Sequence, residues 1–151
     1  MDELLKELTR EECVQLLKTC RVGRVAVVNG LEPLVVPVNY AMAGDHIVFR
    51  TGDGTKLRSL QERPIAFQVD EIDLDVPSGW SVFVVGVAQE IAPEFAPEVM
   101  RRIGGPMPEP AVGGPRNHWI ELRPRRITGR RLLAAHGDSL GSESLKASRR
   151  S

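Results

Sequence analysis

The thirty residues from Val22 to Thr51, VGRVAVVNGLEPLVVPVNYAMAGDHIVFRT, restrict the fold more than any other part of the chain. They are rich in valine and broken twice by turn signals. Val22 to Val28 reads as a strand. Asn29-Gly30 is a hairpin signal, because both residues tolerate positive φ. Leu34 to Tyr40 is the return strand, Ala43-Gly44-Asp45 the next turn, and His46 to Thr51 the third strand. Strands joined by such short turns pair antiparallel. Pro37 lacks an amide hydrogen, so it belongs at an edge, a bulge or a strand start.

The remainder adds strands and a few helices. Thr9 and Glu12 form a capping box ahead of a helical stripe of Cys13, Leu16, Leu17 and Cys20. Thr55 to Glu62 fits a short helix with Leu57 and Leu60 inward, and Ile65 to Val69 a fourth strand. DEIDLDVPSG reads as a polar loop. Trp80 to Ile91 is a long fifth strand, with Gly86 at a bulge. EFAPEVMRRI predicts a helix with Pro97 in its first turn. HWIELRPRRITGRRLL gives a sixth strand, broken or bent at Pro124, with room for a seventh. A chain of 151 residues suits one domain, set at residues 1–133, with a disordered tail expected over 134–151. Short strands at hairpin spacing with attached helices predict a mainly β fold, a small antiparallel barrel whose closure removes edges.

Composition narrows the function classes. Lysine plus arginine equals aspartate plus glutamate, 20 each, which argues against a nucleic-acid coat. The acidic start MDELLKELTREE is no signal peptide, and no run approaches the roughly 20 apolar residues that span a bilayer. The expectation is a cytoplasmic protein with no membrane partner. Cys13 and Cys20 lie two helical turns apart, a rise of about 10.5 Å, too far for a disulfide. His46, His118 and His136 are scattered, and no metal site is expected. No nucleophile–histidine set or acid–base pair stands out, which suits chemistry carried by a cofactor.

The stretch FRTGDGTKL, Phe49 to Leu57, is the strongest candidate for binding one. A phosphate wants converging amide donors, hydroxyls and cations, and a glycine turn opening a helix provides the first of these. Arg50 and Lys56 add charge, and Thr51 and Thr55 add hydroxyls. The spacing is not a P-loop. On chemistry alone a solvated turn, with Thr55 as helix cap, explains the same residues.

The order VGRVAVV, EPLVVPVNYAMAGDHIVFRTGDGTKLRSL, IAFQVDEID, SGWSVFVVGVAQEI and HWIELRPRRITGRRL resembles the pyridoxamine 5′-phosphate oxidase-like, FMN-binding split-barrel proteins of actinobacterial type, from about Leu8 to Leu132. That resemblance implies a six-stranded antiparallel Greek-key split barrel, a homodimer, and FMN in the groove between subunits. It implies a phosphate site at Arg50, Thr51, Lys56 and Thr55. It implies a flavin ring held by backbone at Pro37, Val38 and Asn39 and along Phe49 to Thr51. Trp80 and Ser81, and Trp119 from the partner subunit, complete the implied groove. The plain alternatives are edge packing for Pro37 and Val38, a tied-off backbone group for Asn39, and packed aromatics for Trp80 and Trp119. The implied function is an FMN- or F420-dependent oxidoreductase moving hydride to or from a small molecule; the alternative is a flavin- or haem-binding store without turnover. ITGRRLLAAHG stands where the vitamin-making oxidases carry their Arg-Leu-His-x-Arg element, which argues against pyridoxamine phosphate oxidation. Arg50 takes the place of the histidine of nitroimidazole-reductase-like members, which favours an anionic ligand. Arg123, Arg125, Arg126, Arg130 and Arg131, and the acidic Asp70, Glu71, Asp73 and Asp75, are either solvated faces or contacts to a ligand or a second subunit.

Overall fold

In the computed structural model, residues 5–52, 60, 63–108 and 118–133 are described. The chain runs β1 (Leu5–Glu7), α1 (Arg10–Leu17), β2 (Val22–Asn29), β3 (Glu32–Ala43), β4 (His46–Thr51), β5 (Pro64–Asp73) and β6 (Ser78–Glu90). A 3₁₀ turn (Pro93–Phe95), α2 (Ala96–Arg102) and β7 (His118–Leu132) follow. The sheet order is β1-β7-β4-β3-β2-β5-β6, and β6 also pairs with β7. Six strands therefore close into a split barrel, with β1 added along the end of β7. The order β4-β3-β2-β5 is a Greek key, three hairpin-linked strands and a fourth returning beside the first.

Both early hairpins form where glycine permits them, with Gly30 and Gly44 each at φ 65°. Tyr40 N–H donates to Arg21 O at 2.9 Å. By alternation, odd-numbered residues of β3 then face away from β2. Those before Tyr40 lie beyond its pairing with β4, which covers Tyr40–Ala43. Pro33 and Pro37 both fall on this open edge, the position that a missing N–H requires.

The barrel core is built from inward residues of every main strand, including Val25, Tyr40, Phe49, Phe67, Trp80, Val82 and Leu122. α1 closes one end with Cys13 and Leu17, both fully buried. Its capping box forms as expected, Thr9 N–H to Glu12 Oε1 and Glu12 N–H to Thr9 Oγ1. Cys13 and Cys20 are both free thiols. A second, smaller core lies outside the barrel, where Val99 and Ile103 cover Ala41, Ala43 and Val48, with Ile91 and Trp119 alongside. α2 is thus fixed to the outer face of β3, β4 and β7.

Three expectations need correction. DEIDLDVPSG is mostly strand: Asp70–Asp73 pairs with Ser78–Ser81, and Asp73 Oδ1 accepts from the Asp75 and Val76 amides to tie the turn. β7 is one continuous strand; its register shifts opposite Val85/Gly86, where Arg125 is the extra residue and Gly86 faces Pro124. Leu5–Glu7, read only as an acidic lead-in, pairs with Arg130–Leu132. Of the helix expected over Thr55–Glu62, Leu60 is described, helical and buried; the rest lies outside the described residues, as does the tail 134–151.

Candidate functional site

Alternation along β4 separates its last residues. Ile47 and Phe49 point into the barrel, and His46, Val48 and Arg50 point out. Arg50 pairs in register with Trp119 and Thr51 with His118 on β7. Extending the β3–β4 register by one residue beyond Tyr40↔Phe49 sets Asn39 beside Arg50. Asn39, Arg50 and Trp119 therefore form one outward row at the C-terminal end of β4.

Arg50 is the centre of this row. Its guanidinium carbon lies 5.1 Å from the Trp119 ring centroid, a cation–π stack. Nη1 donates to Pro108 O at 3.2 Å. Nε is buried and has no hydrogen-bond partner among the described residues. A buried donor without an acceptor costs about 1–3 kcal/mol. The Arg50 guanidinium fits an anionic group beside a flat ring, whereas the open edge of β3, where Pro33, Val35 and Pro37 all expose carbonyls but only Val35 has an N–H, suits a ligand's hydrogen-bond donors. Thr51 Oγ1 donates to Gly52 O. Thr55 and Lys56 lie outside the described residues.

A charged cluster supports the neighbouring row. Glu121, 8 % exposed, accepts from His46 Nδ1 at 2.9 Å and Arg102 Nη2 at 3.1 Å. His46 Nε2 is also 3.6 Å from Asp45, which Arg10 holds at 3.0 Å. Burial pushes the Glu121 carboxyl up, but the hydrogen bonds and charges of His46 and Arg102 outweigh it and leave it below the ordinary 4.5. A carboxyl depressed on folding stabilises the fold above its unfolded value and loses that contribution as pH falls. The difference in unfolding free energy between wild type and Glu121→Gln should therefore shrink as pH drops below about 4.5, measured by urea unfolding across a pH series.

The other expected site residues are placed elsewhere. Phe49 is in the core, with its backbone paired to Tyr40 on one side and Ile120 on the other, so it offers a ligand neither side chain nor edge. Val38 is also core, and its N–H faces β2. Pro37 is exposed on the open edge. Trp80 is a core residue, 6 % exposed, paired with Glu71 and Arg131. Ser81 accepts from Gln68 Nε2 and lines a groove of about 480 Å³ with Phe83, Thr128 and Arg130. Along β7, Trp119 and Arg131 are twelve residues apart, about 40 Å of strand. Arg50 and Trp119 are brought together; Trp80 and Ser81 are not brought to them. Pro108 and the Glu121 cluster were not anticipated, since Pro108 is 58 residues from Arg50 and Glu121 is 75 from His46. His118 pairs with Glu90 beside Thr51. Tyr40, a possible proton donor by sequence, gives its hydroxyl to Leu17 O, and burial raises its pKa well above the ordinary phenol value.

A family model described as pyridoxamine 5′-phosphate oxidase matches residues 9–131. An uncharacterized protein of Mycobacterium tuberculosis is 29% identical over 135 residues, covering 85% of this chain and 86% of its own. The structure of the FAD binding protein from Mycobacterium smegmatis is 29% identical, with a TM-score of 0.64 over 85% of this chain and 98% of that one. The FAD and heme binding protein from the same organism shares the fold at 17% identity, with a TM-score of 0.68 over 91% of this chain and 80% of that one.

Proposed function

The chain belongs to the pyridoxamine 5′-phosphate oxidase family, and on that premise we propose that it binds a flavin, anchored at Arg50, in a groove made by two copies of the chain. The observation that carries this reading is the guanidinium of Arg50 at the C-terminal end of β4, stacked on Trp119, with its Nε–H lacking a hydrogen-bond partner among the described residues. The FAD-binding relative at 29% identity supports a flavin in general. FMN is the expected form, with FAD and F420 as the alternatives to be tested. A bound flavin would supply hydride chemistry at its ring, while the chain binds it, orients it and excludes water. The activity that follows is an oxidoreductase acting on a small molecule.

Two copies are needed because the two groups of expected contacts lie far apart on one barrel. Arg50 and Trp119 sit outside one end of β7; Ser81 and its groove lie toward the other. The outer face of β3, β2, β5 and β6 gives a second copy somewhere to dock. Register aligns Val35, Ala26, Ala66 and Val85 in one row across it, with half-exposed Val28 and Phe83 nearby. Apolar and partly exposed, this face suits an isologous contact. Ala66→Arg should shift the protein to monomer in sedimentation velocity and abolish flavin binding with it.

A haem reading has less to recommend it. Among the described residues the two histidines, His46 and His118, are both held by carboxylates. Native mass spectrometry of the purified protein, with identification of the extracted cofactor, tests the main proposal. The expected result is a dimer carrying two flavins, reducible by NAD(P)H; a flavin that binds but accepts and donates no electrons would favour storage. A monomer that takes up no FMN, FAD or F420 would refute it.

A further inference from the structure

The outward row that joins Trp119, Arg50 and Asn39 does not stop at β3. Asn39 pairs with Val22, so the row continues onto β2. Carrying the β2–β5 register two residues past Arg24↔Gln68 sets Asp70 beside Val22, and from Asp70 the row runs to Ser81 and Arg130. It is symmetrical about the seam between β2 and β5. Arg50 stands on the third strand to one side of that seam, and Arg130 on the third strand to the other. β7 enters the row at both ends, as Trp119 and again as Arg130, so the strands are steeply tilted and the row runs obliquely along the barrel rather than round it. Both ends can therefore face one partner.

From this symmetry, and resting on the two-copy flavin site proposed above, we infer that a second copy docks with the two-fold axis along the β2–β5 seam, which sets the partner's Arg130 opposite Arg50, so that each anion site holds one arginine from each chain. A two-fold rotation about an axis in the contact plane exchanges the strands on the two sides of the seam. It lays Ala26 on the partner's Ala66 and Val35 on the partner's Val85, and the small alanines at the centre let the two sheets approach. The Arg24 guanidinium has no hydrogen bond or ion pair among the described residues. The same rotation brings it over the partner's Gln68, beside the carboxylate of the partner's Asp70. Toward each end the convex barrels diverge and leave a groove. Asn39 lies opposite the partner's Ser81 there, and Arg50 opposite the partner's Arg130. The Arg130 guanidinium is likewise without a hydrogen bond or ion pair among the described residues, and it lines the groove of about 480 Å³ that holds Ser81. Two guanidiniums facing across a gap repel until an anion sits between them, and an anion is the ligand that both can hold.

Subunit mixing tests this. Arg130→Ala should weaken FMN binding about tenfold and still sediment as a dimer. A mixed dimer of one Arg50→Ala chain and one Arg130→Ala chain has one site with both arginines and one with neither, so it should bind one FMN at wild-type affinity. Unchanged affinity in Arg130→Ala, or a mixed dimer with no site of wild-type affinity, would overturn the shared site while leaving a flavin-binding dimer in place. The contact itself is read without flavin. Val35→Cys/Val85→Cys should be joined between chains by a short bis-maleimide, and neither single variant should be. Within one chain these positions are three strands apart, about 14 Å, beyond the reach of the reagent. A double variant that stays as separate chains would overturn the axis, whatever binds. A dimer that takes up no FMN refutes the flavin reading, and the cross-link alone then decides the axis. A monomeric wild type refutes the two-copy reading and the axis with it.

Discussion

Alanine at Gly86 should destabilise the protein strongly. A Cβ there would sit 2.2 Å from Arg123 O and 2.9 Å from Arg123 C. Those are backbone atoms of β7, so no side-chain rotation relieves the contact. The clash falls where the β6–β7 ladder shifts register to admit Arg125, and this ladder closes the barrel. Moving β7 away would open that seam from both directions. Overpacking costs typically 1–3 kcal/mol and occasionally more, and a backbone clash at a closure seam belongs at or above about 3 kcal/mol. For a chain of this size that is a fall in Tm of about 6–12 °C, read by calorimetry. Gly105→Ala, which adds its methyl to open space, should leave Tm within about a degree and serves as the control.

Removal of the Arg50 guanidinium should be the largest single-site effect on binding. A charged hydrogen bond contributes roughly 1.5–3 kcal/mol, so Arg50→Ala should weaken flavin binding about tenfold to a hundredfold. Stability should change little, because the side chain is part-exposed and makes one hydrogen bond and one ring stack among the described residues. Arg50→Lys should fall between the two, since it keeps the charge and loses the planar fork that stacks on Trp119. Calorimetric titration with FMN gives all three affinities. Losing more than the stack and the charged bond can explain would point to a collapsed site, and circular dichroism at the same concentrations would detect it.

Much of the barrel was legible because its constraints are local. Gly30 and Gly44 mark hairpins that need positive φ, and Pro33 and Pro37 both fall on the one edge of β3 that can spare an N–H. The extension of β5 through Asp73 was not legible. Three of its four side chains, Asp70, Glu71 and Asp73, are acidic, which gives no apolar alternation to read, and only pairing with Ser78–Ser81 makes it strand. Leu5–Glu7 is strand only because the end of β7 is there to receive it. A bend at Pro124 was half right: the irregularity exists, but a bulge at Arg125 absorbs it and the strand continues.

In the site, local chemistry picked out Arg50 and the family resemblance implied Trp119, but neither gave their relation. Strand alternation alone sets Phe49 on the face opposite Arg50, a deduction available in the sequence that a grouping of neighbours along the chain obscured. Trp80 illustrates the converse case. Its position at a strand start is compatible with either face, and the barrel curvature decides for the core. Contacts such as Arg50 with Pro108 and Glu121 with His46 and Arg102 depend on how α2 lies across the outer sheet, which no short-range pattern encodes.

The buried Nε–H of Arg50 gives the most direct access to the central claim, that this guanidinium anchors a flavin. In ¹⁵N-labelled protein its resonance is identified as the arginine Nε–H signal missing from Arg50→Lys. On titration with FMN it should move, with a midpoint equal to that of the change in flavin absorbance, as a donor that has no partner among the described residues gains an acceptor. Flavin that binds while this signal stays in place would contradict the account.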